Sequence, residues 1–315
     1  MHPALSVVLF TTSHGAGYGL LAILGVLGPL GWLPSDPRFG IVALASALGA
    51  ATLGLMMSTL HLGHPERALR AYTQWRSSWL SREGMLATIT YIPACVFGFG
   101  WIFLEKLDGI WGAFGIATSV LAIVTVFATA MIYRSIKTVH PWCNDFVPPL
   151  YIAHGMLSGA IWLNMLLLLF DAPWPNFALF TSASLGIGWV LKFQYWRYID
   201  RTSHPATPGT ATGLSSYGPV RLFEAPHTQD NYLIREMGYV LAPARKNALR
   251  LFVHMALFAL PIVLTAATAF LPTSIGAAVM VFVFVLAGLG IIVERWLFLA
   301  EGRHAVTLYY GAEKA

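Results

Sequence analysis

Eight long apolar stretches limit what this chain of 315 residues can fold into more than any other feature. A helix needs about 20 mostly apolar residues to cross the hydrocarbon core of a bilayer. Charged residues make up 10% of the sequence, against about 25% in soluble domains. They are too few to form the polar surface of a water-soluble protein. We therefore predict an all-α polytopic membrane protein built as a bundle of eight transmembrane helices. The predicted spans are residues 4–29, 39–61, 84–104, 109–133, 148–170, 175–196, 248–270 and 273–299.

The connections between these stretches differ sharply in charge. The short ones are residues 30–38, 105–108, 171–174 and 271–272, and the longer, basic ones are 62–83, 134–147, 197–247 and the tail from 300. Of the 19 Lys and Arg residues, 17 fall on the side of the longer connections, leaving Arg38 and Lys106 on the other. The positive-inside rule then predicts that both termini lie in the cytoplasm. A basic face can also be a docking surface, and we expect residues 197–247 to be a cytoplasmic docking loop.

The two cysteines exclude a resident iron–sulfur cluster. Cys95 lies in an apolar run, Cys143 lies in a short connection, and no C-x-x-C pair exists. A cluster of this kind usually takes four thiolates. We expect both cysteines to be unpaired thiols that bind no metal, so any iron–sulfur clusters must belong to another polypeptide.

The connection between the second and third stretches is the richest in candidate functional groups. It runs from His61 to Glu83 and includes His64, Glu66, Arg67, Arg70, Arg76, Ser81 and Arg82. One interpretation is a loop at the membrane surface, with Trp75 and Trp79 among the headgroups and the arginines near phosphates. That interpretation accounts poorly for Glu83, a titratable group at the edge of the hydrocarbon.

A quinone site is the alternative interpretation of this connection. A quinone needs hydrogen-bond partners for its two oxygens, an apolar slot for its tail and groups that exchange protons near neutral pH. Glu83 and His61 supply such groups at the facing ends of two predicted helices.

Several short motifs resemble the membrane-anchor subunits of the dimethyl sulfoxide reductase family. The motifs are His61-Leu62-Gly63, Pro65, Arg67-Ala68, Leu80-Ser81, Glu83, Tyr133-Arg134-Ser135-Ile136, Thr138-Val139 and Glu294-Arg295. The longer 197–247 loop and the stretch ending in Tyr309-Tyr310-Gly311 look more like the membrane subunit of cytoplasmic, quinone-dependent sulfite dehydrogenases.

The resemblance implies a function as well as a fold. Such anchors bind a four-cluster iron–sulfur subunit and, through it, a molybdopterin catalytic subunit, and they exchange electrons with ubiquinone or menaquinone. It implies that His61 and Glu83 lie at the quinone site, where we expect Arg67, Ser81 and Arg82 to support them. Possible outer groups of the site are His14, His64, Tyr133, Glu294 and Arg295.

Three histidines fall inside predicted spans, namely His14, His154 and His254. Ionisable residues within a membrane are usually functional. His154 and His254 lie at similar depth, which would suit two axial heme ligands, whereas buried histidines bonded to carbonyls are the simpler interpretation. Since the resembling anchors lack heme, we expect none here. Four alternatives stay open: sulfite oxidation, reduction of dimethyl sulfoxide or a similar acceptor, an anchor without a quinone site, and a secondary transporter. No nucleic-acid partner is expected.

Overall fold

The protein forms a bundle of long helices, described from a computed structural model that covers residues 2–59, 64–224, 229, 231–239 and 241–313. The long helices are α1 (Leu5–Leu27), α2 (Pro37–Thr59), α3 (Trp79–Leu104), α4 (Gly109–Arg134), α5 (Val147–Leu169) and α6 (Pro175–Arg201). Two short helices follow, α7 (Pro208–Thr212) and α8 (Tyr232–Met237), and then α9 (Pro243–Val253), α10 (Leu260–Thr268) and α11 (Thr273–Ala300). No strand occurs within the described ranges; one antiparallel bridge joins Val139 to His304.

Within the described residues, seven helical segments are long and apolar enough to cross a membrane, which confirms a multi-pass protein. They are α1 to α5, the continuous segment Ala244–Thr268 and α11. The predicted sixth span also forms a helix of 27 residues, α6. Its second half carries Lys192, Arg197, Asp200 and Arg201, and these charges explain why it is less apolar than the other seven.

The third long helix begins five residues before the predicted span. Ser78 caps it, because the Ser78 hydroxyl accepts a hydrogen bond from the backbone N–H of Ser81 over 3.4 Å. A serine in this position satisfies one of the backbone donors that a helix leaves open at its start. Glu83 therefore lies inside α3 rather than at its mouth.

The regular helix in the predicted seventh span is interrupted beside Pro261. A π-helical turn over His254–Ala259 immediately precedes α10, which contains Pro261. Proline has no N–H for the helical ladder, and its ring crowds the carbonyl one turn earlier. A wider turn relieves that crowding.

The first helix is the centre of the bundle and packs on α2, α4, α5 and α11. Glycine makes the closest approach possible: a Cβ on Gly19 would lie 1.8 Å from the carbonyl oxygen of Gly155. Small residues allow such contacts between helix backbones in lipid. Gly15, one turn earlier, behaves differently, since a Cβ there would meet nothing within 4 Å.

The long loop on the basic side is folded against the C-terminal tail. The tail forms a 3₁₀ helix over Ala305–Tyr310. The Tyr309 hydroxyl donates to the carbonyl of Ala211 over 2.7 Å, and the Asn231 amide donates to the Tyr310 hydroxyl over 3.0 Å. These contacts give the predicted docking loop a defined surface.

Candidate functional site

Among the described residues, six buried acidic, basic or histidine side chains lie in the half of the bundle nearest the basic connections. They are His14, Glu83, His154, Lys192, Glu294 and Arg295, and each is at most 3% exposed. Counting 1.5 Å per residue from the helix ends, they lie about 6 to 14 Å below the basic surface. We name these six residues the polar layer. Ionisable groups at such depth in an apolar bundle are costly and are usually functional.

Glu83 and His14 form the first part of the polar layer. Glu83 accepts a hydrogen bond from the Thr129 hydroxyl, and the Nε2 atom of His14 lies 3.7 Å from its Oε1 atom. The His14 ring is held between Phe10 and Tyr18, with ring centroids 5.0 and 4.5 Å away. The structure thus places His14, expected only as an outer group, directly beside the carboxylate.

The other four residues form a charged cluster between α5, α6 and α11. The Lys192 ammonium donates to Glu294, whose second oxygen lies 2.6 Å from the Nε atom of Arg295. Arg295 also donates through Nη2 to the Nδ1 atom of His154. Buried charges are tolerated when they are paired and hydrogen-bonded in this way. The cluster contains two cations and one carboxylate.

Aromatic rings complete the surroundings of both cations. The Arg295 guanidinium lies 4.0 Å from the centre of the Tyr151 ring, and the Lys192 ammonium lies 4.4 Å from that of Tyr195. Tyr133, an outer group in the prediction, is buried and stacks on Tyr151 at 5.6 Å. Cation–π contacts of this kind stabilise a desolvated cation.

A cavity of about 10 Å³ separates the two parts of the polar layer. It lies between α1, α4, α5 and α11, and Gly15 is part of its wall. Three of its lining residues hold buried atoms that find no hydrogen-bond partner among the described residues. These atoms are Thr12 Oγ1, both ring nitrogens of His14 and His154 Nε2. The Tyr151 hydroxyl and the Arg295 guanidinium, which also line the cavity, interact with each other.

The residues predicted around Glu83 are spread over different environments. His61 lies outside the described residues. Ser81 is buried in the first turn of α3, two positions from Glu83. Arg67 and His64 are exposed on and beside the 3₁₀ helix Pro65–Gln74.

Arg82 holds the connection against the helix that follows it. Its guanidinium donates to the carbonyls of Trp75 and Arg76 over 2.9 and 2.6 Å. It also lies 4.3 Å from the centre of the Trp79 ring. Arg82 therefore points toward the membrane surface, away from the buried carboxylate.

An apolar groove runs along the outside of α3 and α4 beside this arginine. It has a volume of about 420 Å³ and is lined by Trp75, Trp79, Met85, Ile89 and Phe127, among others. The same two helices carry Glu83 and Thr129 on their inner sides.

A second cavity, of about 270 Å³, opens among the charged residues of the basic side. Within it Arg250 donates to Asp200 over 2.6 Å and to Glu301 over 2.7 Å. Glu301 also accepts from the Trp196 indole N–H over 3.1 Å. The residues that line this cavity do not include any member of the charged cluster.

The sequence prediction placed Glu294 and Arg295 together but did not find their partner. It gave the two residues as possible outer groups of a quinone site, and the structure buries both in the core with Lys192. Lys192 was counted only among the basic residues. Its place inside a predicted span was the signal that could have identified it.

The two histidines considered as heme ligands use their Nδ1 atoms in other contacts. Arg295 donates to His154, and the Trp189 indole donates to His254 over 2.7 Å. Across the described part of the protein no three His, Cys, Asp or Glu residues cluster as a metal site would require. Cys95 and Cys143 are free thiols, as predicted.

Comparison with known proteins gives one family over nearly the whole sequence. The model of the family described as DMSO reductase anchor subunit (DmsC) matches residues 1–311. The protein is 30% identical to a subunit of the sulfite dehydrogenase of Allochromatium vinosum, over 98% of its own length and 99% of that subunit. It is 31% identical to a subunit of the anaerobic dimethyl sulfoxide reductase of Escherichia coli, over 53% of its own length and 57% of that subunit. No solved structure matches.

Proposed function

This protein belongs to the DMSO reductase anchor subunit family, and we propose that it passes electrons between an iron–sulfur subunit and quinone in the bilayer. Its seven strongly apolar helices suit an anchor. The full-length similarity to a sulfite dehydrogenase subunit, against half-length similarity to a dimethyl sulfoxide reductase subunit, favours sulfite oxidation. Electrons would then flow toward quinone.

The partner in this proposal is a four-cluster iron–sulfur subunit that in turn binds a molybdopterin catalytic subunit. With two cysteines, this protein needs an external source of clusters. The loop on the basic side offers a docking surface, because Tyr217 is 88% exposed and Phe223 is fully exposed. Aromatic side chains are enriched in protein interfaces, and both lie outside the long apolar helices.

The orientation in this proposal puts the basic side in the bacterial cytoplasm. We take α6 as the eighth span, so that both termini lie on that side. The support is the division of Lys and Arg, 17 against 2. A reporter enzyme that works only in the cytoplasm should be active when it is fused to the C-terminus. If only a reporter that works in the periplasm is active there, the orientation is reversed.

The quinone site in this proposal is built around Glu83. The observation that supports it most directly is a buried carboxylate in contact with a buried histidine, at the level where a docked partner delivers electrons. His61 and Ser81 stay part of the proposed site. Arg67 and Arg82 are assigned to its rim, since both lie toward the surface.

The residues fit the chemistry of a quinone. When bound, a quinone accepts two electrons and two protons, and each of its oxygens needs a hydrogen-bond donor. The Glu83 carboxyl holds a proton at Oε1 or Oε2 and is oriented by the Thr129 hydroxyl. His14, whose ring nitrogens find no hydrogen bond among the described residues, is a second acid–base group. The groove along α3 and α4 has the apolar lining that an isoprenoid tail requires.

Replacing the Glu83 carboxyl by an amide tests the site. Glu83→Gln keeps the size of the side chain but removes its proton chemistry, so quinone-linked turnover should fall by about 10²-fold. Electron transfer from the catalytic subunit to a soluble dye should be unchanged, as should assembly. Glu105→Gln is the matched control, since Glu105 is exposed at the other end of α3. Unchanged quinone turnover in Glu83→Gln would place the site elsewhere.

The direction of electron flow is tested with the purified complex. Sulfite should reduce ubiquinone or menaquinone analogues in its presence. If the complex instead oxidises a quinol with dimethyl sulfoxide and has no activity with sulfite, the protein functions like the dimethyl sulfoxide reductase subunit.

A further inference from the structure

The 270 Å³ cavity lies where three long helices end on the basic side. Asp200 is in the last turn of α6, Lys246 is in the first turn of α9, and Glu301 directly follows α11. Because the apolar segments end here, the cavity is at the level where lipid headgroups meet water. At about 30 Å³ for each water molecule, its volume of about 270 Å³ has room for roughly nine waters, so a group larger than a single ion fits.

The lining of this cavity holds more cations than carboxylates. The cations are Lys246, Arg250 and Arg303, and the carboxylates are Asp200 and Glu301. Arg250 neutralises both acidic groups, since it donates to Asp200 over 2.6 Å and to Glu301 over 2.7 Å. One positive charge is therefore left over at the cavity.

The histidine in the cavity wall does not change this balance. The Thr202 hydroxyl gives its only proton to the Tyr198 carbonyl over 2.8 Å, so it accepts from the Nε2 atom of His140, also over 2.8 Å. Partial burial and the nearby charge of His204 lower the pKa of His140, so its ring is neutral at neutral pH.

Several hydrogen-bond donors of the cavity are unused. An ammonium has three N–H groups, and that of Lys246 makes one contact in the described structure, to Asp200 over 3.2 Å. Arg303 and Ser203 are exposed and make no side-chain hydrogen bond or ion pair among the described residues. An ammonium, a guanidinium and a hydroxyl beside a surplus positive charge are the groups that bind phosphate oxygens.

The surface nearer the membrane centre suits an acyl chain. Phe193 lies seven residues before Asp200, which puts it on the same side of α6 and about 10 Å deeper. Phe193 is 56% exposed, and so is Leu251, which follows Arg250 in α9. A phospholipid can therefore place its headgroup at the cavity and its chains against these two residues.

We propose that this cavity binds a phosphate group and that an anionic phospholipid of the leaflet on the basic side supplies it. Lys246 and Arg303 hold the phosphate oxygens, and Ser203 is a third donor. Arg250 is a positioning residue, because it neutralises the two carboxylates that would repel the phosphate. Basic pockets between transmembrane helices recognise lipid headgroups by the same chemistry. The site is independent of Glu83 and of quinone.

Native mass spectrometry of the assembled complex tests the proposal. The complex would be purified in detergent, depleted of lipid and titrated with phosphatidylglycerol, which is anionic, or with phosphatidylcholine, which is zwitterionic. We expect phosphatidylglycerol to bind more tightly. The double variant Lys246→Gln with Arg303→Gln should bind phosphatidylglycerol about 30-fold more weakly. Equal binding by the unmodified complex and this variant would overturn the proposal.

The matched control is the double variant Arg197→Gln with Arg201→Gln. Both arginines are exposed in the last two turns of α6, and neither lines the cavity. The control removes the same charge at the same level of the membrane and should keep its affinity for phosphatidylglycerol. An equal loss of affinity in the control would show that the lipid responds to the overall charge, and the site would be wrong.

Arg303→Gln alone protects the test against misfolding, because Arg303 makes no contact in the described structure that its loss would break. This variant should bind phosphatidylglycerol about fivefold more weakly. Phosphatidylglycerol should also raise the unfolding temperature of the unmodified complex more than that of the variant. If neither difference is found, Arg303 does not bind the lipid and the proposal fails.

A titration with inorganic phosphate separates the two sources of a phosphate group. We expect it to bind far more weakly than phosphatidylglycerol, because it lacks the chains that contact Phe193 and Leu251. If inorganic phosphate binds to the unmodified complex but not to the double variant, and phosphatidylglycerol is not retained, the ligand is a dissolved anion and the lipid assignment is wrong.

Discussion

The two ends of the helix bundle are built from similar apolar helices but bury different groups. The basic end holds the polar layer, with every Asp, Glu, Lys, Arg and His residue that is buried among the described residues. The opposite end buries neutral polar groups, such as Asn164, which donates to the Thr181 hydroxyl over 2.7 Å. Its connections are tight and rely on left-handed residues, for example Glu105 and Asp171.

We expect this difference to separate the end that holds the fold together from the end that carries out chemistry. At the opposite end, Trp101 donates to the carbonyl of Pro34 over 3.1 Å, and Trp32 meets Trp174 edge-on at 5.6 Å. Such contacts anchor a helix bundle at a membrane surface but exchange no protons. At the basic end, buried charges cost stability, and we therefore expect them to have a function.

The largest expected effect comes from unbalancing the charged cluster. Glu294→Gln removes the one carboxylate between two buried cations and should destabilise the protein by about 3–5 kcal/mol. Lys192→Met leaves Glu294 paired with Arg295 and should cost much less. Thermal unfolding of the solubilised complex measures both, and equal losses would show that the cluster is not an ion-paired unit.

A second comparison uses glycines at the two ends. A Cβ on Gly25 would lie 2.2 Å from the carbonyl of Gly115, so Gly25→Ala should destabilise the protein by about 1–3 kcal/mol. Its turnover per assembled complex should not change, because Gly25 is far along α1 from the polar layer. Gly15→Ala meets open space and should leave the unfolding temperature nearly unchanged. A turnover defect in Gly25→Ala would break the separation of the two ends.

Partner binding should depend on the basic end alone. Replacing Tyr217 and Phe223 together by alanine should weaken binding of the iron–sulfur subunit by about 2 kcal/mol, or roughly 30-fold. Phe103→Ala is the control, because Phe103 is 71% exposed at the opposite end. Retention of the partner on washed membranes reports the result; equal retention in all variants would move the docking surface elsewhere.

The smallest expected effect is on how the unfolding temperature depends on pH. Partial burial lowers the pKa values of His140 and His304, and the nearby charge of His204 lowers them further. The folded state then binds fewer protons than the unfolded state, so these groups stabilise it above their ordinary pKa of about 6.5 and lose that stabilisation as the pH falls. Unfolding temperatures at about pH 7.5 and about pH 5.5 should differ less when both residues are glutamine. If the glutamine variants keep the same difference in unfolding temperature, these histidines do not contribute to the pH dependence of stability.

The helices and most residues of the polar layer could be predicted from the sequence, whereas the contacts between those residues could not. Length and apolarity determine that a stretch such as 109–133 becomes α4, because a bilayer requires both. Which side chains point inward depends on how helices pack. His14 and its partner Glu83 are 69 residues apart in sequence, and Lys192 and its partner Glu294 are 102 residues apart. No local pattern specifies such contacts.

Glu83 could be proposed as a site residue from the sequence because a carboxylate beside an apolar stretch is unusual. Its partner Thr129 was missed, since a threonine in a helix normally bonds to its own backbone, as Thr125 does to Leu121. Tyr151 was missed for a similar reason, because buried tyrosines are common in cores.

Photolabelling with an azidoquinone tests most directly whether the basic end carries out the chemistry. The opposite end offers an alternative, a cavity of about 530 Å³ lined by Trp32, Leu33, Pro34 and Trp174. The assembled complex would be illuminated with the probe in vesicles, and the labelled peptides would be identified by mass spectrometry. We expect label on peptides of α1 and α3 that contain His14 and Glu83, with competition by unmodified quinone. Competable label confined to the peptides of Trp32 and Trp174 would contradict the account.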